Sequence, residues 1–396
     1  MAGSSAIVFV TDDTARTGLD RPLMLTPVAG SSLLSWLCGA LRRAGVHRLL
    51  LVCRPPWTEE ALACCPDSME VTAAAAEEAA DSLHVFLTTA DTVVDITTVI
   101  TGPVIFDRWS AFCAGSEPPE TERTPCGAFD VPVEALLCAL NDREKAFDFR
   151  EVLRTSGVSY TDGDGLRPVT SPRELLSWSP VLRRARAEDL EAGGVVIWDP
   201  DTLWAGPEVT VGEGTELLPN VYLRGRTTVG TACVLGPDTE LTDCTLAGGV
   251  RVERSVLRTV RAESRALVGP WALLTGTELG ADSSVGPGCV TSDTTLGPGA
   301  SLIALNYAGE STLGRGARFE PGAVTADRDE ERSWRANVGE EARVGANATL
   351  NAPVDLGPRS VASPGSTVSE NVAEGAMAYT NARQATVKDY YRRLKK

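Results

Sequence analysis

Two loops in the C-terminal half gather the side chains best suited to proton transfer. Leu305–Thr312 (LNYAGEST) brings Tyr307 close to Glu310, and Thr325–Asn337 (TADRDEERSWRAN) carries Asp327 and Asp329. A carboxylate or phenol drawn out of bulk water is a general acid–base candidate; the same residues on a solvated loop do nothing. Imidazole is scarce, since His47 and His84 are the only histidines, so a histidine-based mechanism has few candidates. The ten cysteines show no Cys-x-x-Cys and no metal-like spacing, although Cys64 and Cys65 are adjacent. They read as reduced, mostly buried thiols of a cytoplasmic protein.

Both loops interrupt a repeat. From Val195 onward an aliphatic residue followed by glycine recurs, as at Val211, Val229, Leu235, Val268, Leu279, Val285, Leu296, Leu313, Val338, Val344 and Leu356. Most gaps are multiples of six or one short of one, and Leu241, Leu274, Leu302, Phe319 and Leu350 fill intermediate steps. One aliphatic plug per six residues predicts a hexapeptide parallel β-helix, three steps to each coil of a triangular prism. An antiparallel sandwich would need period-two alternation and hairpin turn pairs, which are absent.

Residues 1–171 read as a doubly wound α/β domain. Its expected strands are Ala6–Val10, Arg48–Cys53, Leu83–Thr88, Val104–Phe106 and Ala128–Val131; its expected helices are Ser31–Ala44 and Glu134–Asn141. Residues 172–192 predict a charged linking helix interrupted at Pro180. The β-helix is then expected over 193–372, with a tail over 373–396 whose segment Lys388–Lys396 carries five positive charges.

The chain has 396 residues with 37 Gly and 24 Pro, only 6% aromatic, and a net charge of -16. That charge argues against a nucleic-acid partner, which needs a basic face to displace counterions. No apolar run reaches the roughly 18 residues of a membrane helix, and MAGSSAIVFV lacks the features of a signal peptide.

The stretch from Phe9 to Gly30 (FVTDDTARTGLDRPLMLTPVAG), the run LNAPVDLGPRSVASPGSTVSENV from Leu350, and Ala376–Gln384 (AMAYTNARQ) carry a resemblance. With the domain order, they make the chain similar to the bifunctional N-acetylglucosamine-1-phosphate uridylyltransferase / glucosamine-1-phosphate acetyltransferase family of bacterial UDP-N-acetylglucosamine synthesis, a cell-wall precursor route. The resemblance implies a nucleotidyltransferase-like N-terminal domain and a left-handed β-helix, against the usual right-handed crossover. It also implies a cytoplasmic homotrimer, with acetyl-CoA held in a groove that includes Ala346, Ser363 and Arg383.

The resemblance further implies that both catalytic centres are altered. In the phosphate loop Asp12 and Thr14 replace glycines, Asp13 lies between them, and Leu23 replaces a lysine; Arg16 is the retained nucleotide-binding remnant. Two carboxylates there would repel phosphates by roughly 1–4 kcal/mol each. The magnesium carboxylate survives only as Asp91, so Mg2+ is not expected to bind. The family's histidine base falls at Ala304, while Tyr307, Gly309 and the acidic Glu310 persist. Its sugar-phosphate arginine and lysine fall at Thr275 and near Ser292–Asp293, and its second-loop Asn-Tyr becomes Asp327-Arg328. The expectation is a diverged binding or assembly protein for a sugar phosphate or acyl-CoA. The alternative is an acyl-CoA-dependent acetyltransferase acting on an amino sugar through Tyr307, Glu310 or Asp327. A sensor of a small neutral or cationic ligand is a further class.

Overall fold

Short aliphatic runs form the centre of the first half, because only a strand buried on both faces tolerates uninterrupted apolar sequence. The computed structural model describes residues 5–10, 14–75, 79–88, 96–101, 104–106, 127–141, 166–329 and 331–380. Asp12, Asp13, Asp91, Arg383 and Lys388–Lys396 lie outside the described residues, as does the side chain of Arg16. The chain divides into two units. The first is Met1–Gly193 with Ile197–Thr210 and Tyr222–Arg226; the second is Gly194–Val196, Val211–Val221 and Thr227–Lys396.

In the first unit a five-stranded sheet runs in the order Glu70–Ala75, Arg48–Cys53, Ser5–Phe9, Ile96–Thr101, Gly127–Pro132. The first four strands are parallel and the last is antiparallel to its neighbour. Strand order reverses at Ser5–Phe9, the topological position at which doubly wound sheets open a crevice. The helix Leu33–Arg43 starts at an N-cap, where Ser32 Oγ accepts from the Ser35 N–H at 3.1 Å. It ends on Arg42 and Arg43, whose charges favour a helix C-terminus. Leu34, Leu37 and Leu41 pack with Ala6, Val8, Leu49 and Leu51 on one sheet face.

The opposite face corrects one expectation. Leu83–Thr88 is not a strand but the end of a helix, Ala79–Thr88, which lays Leu83 and Phe86 on Ile7, Leu50 and Val99. The buried residues recur at a spacing of three, which suits a helix face; a short apolar run does not distinguish the two conformations. Val104–Phe106 is a strand as expected, and Ala128–Val131 lies within the strand Gly127–Pro132.

The linking segment is two helices, Pro172–Ser177 and Ser179–Ala192. The break falls at Trp178, and Pro180 occupies the first turn of the second helix, where its missing N–H costs nothing. Arg186, only 7% exposed, bonds from Nε to the Gly206 carbonyl at 3.3 Å and from Nη2 to the Val209 carbonyl. Burial pulls its pKa down to about 10. The Arg183 guanidinium lies 4.6 Å from the Trp204 ring centroid, and Trp204 stacks on Tyr222.

The repeat folds as a parallel β-helix, as its period predicts, with sheets of eleven, ten and nine strands. The inward positions of one coil are Leu274, Leu279 and Val285, followed by Thr291 on the next, all buried. Steps of five, six and six residues close a coil after seventeen, which explains gaps one short of six. Val229, Leu235, Val268, Leu296, Leu313, Val338, Val344 and Leu356 are buried as expected, whereas Val211 is half-buried.

Leu305–Thr312 turns out not to leave the coil. Tyr307–Gly309 pairs in register with Val290–Ser292, and Thr312 with Thr295; Ala308 is the inward plug. Alanine had hidden the period. Thr325–Asn337 is a true excursion, since the step from inward position 325 to 338 is thirteen residues, where the step from Ala308 to Leu313 is five. Among the described residues no helix is long and apolar enough to cross a membrane.

Candidate functional site on the β-helix

The strand Tyr307–Gly309 alternates, pointing Ala308 inward and Tyr307 and Gly309 outward. On the next coil Val324–Ala326 delivers Asp327 at the start of the excursion. Asp327 Oδ2 accepts from Tyr307 Oη at 3.4 Å and from Arg328 Nε and Nη2, each at 3.2 Å. The Asp327 carboxylate is 3% exposed. Gly309 lies beneath this cluster, and a Cβ there would collide with both the Asp327 carboxylate and Tyr307 Oη. Thr325 Oγ1 accepts from the Gly309 N–H at 2.9 Å, tying the two coils together from inside.

The excursion is a tight hairpin. Trp334 N–H donates to the Asp327 carbonyl at 2.6 Å, and Arg328 bridges Ser333 in antiparallel fashion. At its tip Asp329 Oδ1 accepts from the N–H groups of Glu331 and Arg332, both at 2.8 Å, which hold its carboxyl below the ordinary value. Its returning side supplies Arg335, whose Nη2 reaches Glu310 Oε2 at 3.2 Å and whose Nη1 reaches Thr312 Oγ1 at 3.3 Å.

Burial raises the Tyr307 phenol above its ordinary value, the Asp327 charge adds to that, and Arg328 partly offsets it. Asp327, in turn, raises the Arg328 guanidinium. Tyr307 is thus a neutral donor at neutral pH, paired with an arginine-bound carboxylate.

The structure brings Tyr307 and Asp327 together and gives Glu310 a separate partner. Ala304 donates its N–H to Asn306 Oδ1 at 3.1 Å and accepts from Gly322 N–H at 3.0 Å; its methyl offers no proton acceptor. Beside it Leu305 is 70% exposed. Ala346 and Ser363 follow equivalent strands of consecutive coils, Arg343–Val344 and Val361–Ala362. Both histidines belong to the first unit, His47 exposed and His84 half-buried on the helix Ala79–Thr88. Among the described residues no group of three His, Cys, Asp or Glu side chains could hold a metal ion.

Sequence reasoning misses Arg335 and Thr325. The many arginines among the acids of 325–337 hint at internal pairing, but not at a partner as distant in sequence as Glu310.

The architecture and this site define a hexapeptide-repeat parallel β-helix protein that also carries a doubly wound α/β sheet. It is similar to curated proteins that bear the name bifunctional protein GlmU. The protein of that name from Carboxydothermus hydrogenoformans is 35% identical over 234 residues, 59% of this chain and 52% of the relative. That from Halalkalibacterium halodurans is 28% identical over 298 residues, 75% of this chain and 62% of the relative. The chain therefore spans about half to three fifths of the length of these relatives. No protein-family model matches. Among solved structures, the inositol-1-phosphate CTP transferase of T. maritima aligns at 14% identity and a TM-score of 0.32, covering 45% of this chain and 93% of that one.

Proposed function

We propose that this protein is a binding and assembly protein of sugar-nucleotide metabolism that performs neither uridylyl transfer nor the acetyl transfer of its relatives. The observation that carries this reading is the engagement of two candidate carboxylates of these coils: Asp327 with Arg328 and Glu310 with Arg335. A carboxylate whose oxygen is already held by a guanidinium is not positioned to take a proton from a substrate, and loss of a positioned base typically costs 10²–10⁴-fold in rate. The sequence of the phosphate loop, with Asp12 and Asp13, supports the same reading for the first unit. Thermal shift with acetyl-CoA, with UTP plus Mg2+, and with UDP-N-acetylglucosamine tests it, since a ligand bound only by the folded state raises the midpoint. A rise with one of these and no turnover of any is the expected result; rapid release of free coenzyme A with glucosamine-1-phosphate would overturn it.

A second reading, an acyl-CoA-dependent acetyltransferase with a changed base, is favoured by one contact, the bond from Tyr307 Oη to the buried Asp327. There Asp327 would orient the phenol, and Ala346, Ser363 and Arg383 would line the coenzyme groove.

The assembly in this proposal is a homotrimer. Support comes from the ten-stranded sheet, whose register aligns the outward residues Val256, Leu273, Val290, Tyr307 and Val324 on five successive coils. The nine-stranded sheet has Arg261, Glu278, Thr295, Thr312 and Asn337 at its outward positions. An apolar row on one face suits a neighbour, and a closed ring satisfies each such face once. The proposal also places the chain in the cytoplasm, which suits the eight described cysteines, all free thiols.

A further inference from the structure

Three thiols of the first unit lie close together, and two of them face each other. Cys38, midway along the helix Leu33–Arg43, and Cys65, just past the helix Thr58–Ala63, bring their sulfurs to 3.8 Å. Cys38 is 0% exposed and Cys65 5%. The third, Cys64, is half-buried and separately engaged, accepting from Ser32 Oγ at 3.0 Å and donating to the Glu60 carbonyl at 3.2 Å.

We propose that Cys38 and Cys65 form an oxidisable pair that a small hydroperoxide closes into a disulfide. A disulfide has a sulfur–sulfur length of about 2.05 Å, so the thiols must approach by roughly 1.8 Å, a distance that small side-chain rotations cover. In the first step the Cys65 thiol is oxidised by hydrogen peroxide to a sulfenic acid, and one water leaves. In the second the Cys38 sulfur attacks that sulfur, the S–O bond breaks, and the Cys38 proton and the hydroxyl depart as a second water. Peroxide is the two-electron oxidant; the two thiols are the reductant. Its small size suits a pair so little exposed.

The pairing has a mechanical consequence. Cys65 leads through Met69 into the edge strand Glu70–Ala75, while Cys38 sits on a helix whose Gly39 abuts Pro207 and whose Arg42 meets Glu208 at 3.3 Å. Oxidation therefore ties the sheet edge to the helix that supports Ile197–Thr210. The hydrogen bond to Cys65 and burial hold the Cys38 thiol well above its ordinary pKa. The second step therefore accelerates from neutral to mildly alkaline pH, because the thiolate is the nucleophile.

The test treats the folded full-length chain with hydrogen peroxide and maps its peptides without reduction. The expected product joins the Cys38 and Cys65 peptides with loss of two hydrogens. It is absent in C38A and C65S, present in C64S, and reversed by dithiothreitol. The oxidised protein should melt roughly 5–10 °C higher than the reduced protein. Circular dichroism of the C38A and C65S proteins before oxidation distinguishes a missing thiol from a misfolded chain. A Cys64–Cys65 link, sulfinic acid at Cys65 without a cross-link, oxidation confined to the exposed Cys138, or an unraised midpoint would each overturn the proposal.

Discussion

Arg335 holds Glu310 at 3.2 Å, joining the end of the excursion to the coil preceding it. Ala336 N–H adds a bond to the Glu310 carbonyl at 3.0 Å, so the hairpin returns to one defined point. Half-exposed pairs of this kind contribute little on their own, about 0–1 kcal/mol. R335A should therefore leave the melting temperature nearly unchanged while hydrogen exchange accelerates at Trp334. Unaltered exchange would show that the backbone alone fixes the hairpin.

The prism interior is the stability-determining region. Val344 is fully buried, and V344D would place an unpaired charge there at a cost of several kcal/mol. Loss of cooperative unfolding by circular dichroism is expected; a soluble, fully folded V344D protein would contradict the inward assignment.

Gly309 tests the site's packing. In G309A the new methyl meets Asp327 and Tyr307, and overpacking of this kind typically costs about 1–3 kcal/mol. Urea denaturation should show a lower midpoint with an unchanged slope, and G309A/D327A should recover part of the loss. Equal stability of G309A and the parent would refute the close approach.

Two pH limbs follow from the shifted groups. Asp282, bonded to Arg265, and Asp329, bonded to backbone N–H groups, both have depressed pKa values. Their stabilising effect is complete above the ordinary carboxylate value near 4 and is lost as pH falls through their folded values. Tyr307 has the opposite sign, since its phenol is raised, so its contribution is present below pH ~10 and is lost as pH rises through the folded value. Difference titration of phenolate absorbance against Y307F should find Tyr307 above ordinary tyrosines. In D327N it should move down only part of the way, because burial remains. An ordinary Tyr307 value in the parent would remove the basis for the buried pair.

Assembly and catalysis give the last prediction. Light scattering should report about three times the 41.9 kDa chain mass, and L273R/V290R should fall to monomer. UTP with N-acetylglucosamine-1-phosphate should yield no UDP-N-acetylglucosamine above a no-protein blank. A monomeric parent at micromolar concentration would sink the trimer, and clear turnover would sink the reading of the phosphate loop.

The prism was legible because its constraint repeats: each coil needs inward plugs, and leucine or valine at Val285, Leu296 and Leu302 makes that visible. Where the plug is Ala308 or Thr325 the pattern fades, and an ordinary coil resembles an interruption. The conformation of Leu83–Thr88 is illegible for a related reason, since a few apolar residues fit a strand or a helix face equally well. Within the site, the residue types of Tyr307 and Asp327 were readable, but the pairings were not. Coil-to-coil contacts such as Tyr307 with Asp327, twenty residues apart, depend on stacking register and leave no local signal.

The excursion leaves that register untouched: Thr312 still pairs with Asn337, and Thr325 with Leu350. The stretch between Asp327 and Arg335 is thus an exchangeable cassette, because the strand register on either side of it does not depend on what it contains. Selection can rewrite such a corner, exchanging one set of acids and arginines for another, while the scaffold folds as before. A lineage can in this way change the chemistry presented at this corner without passing through an unstable ancestor, and the same corner is a natural place to graft a foreign loop.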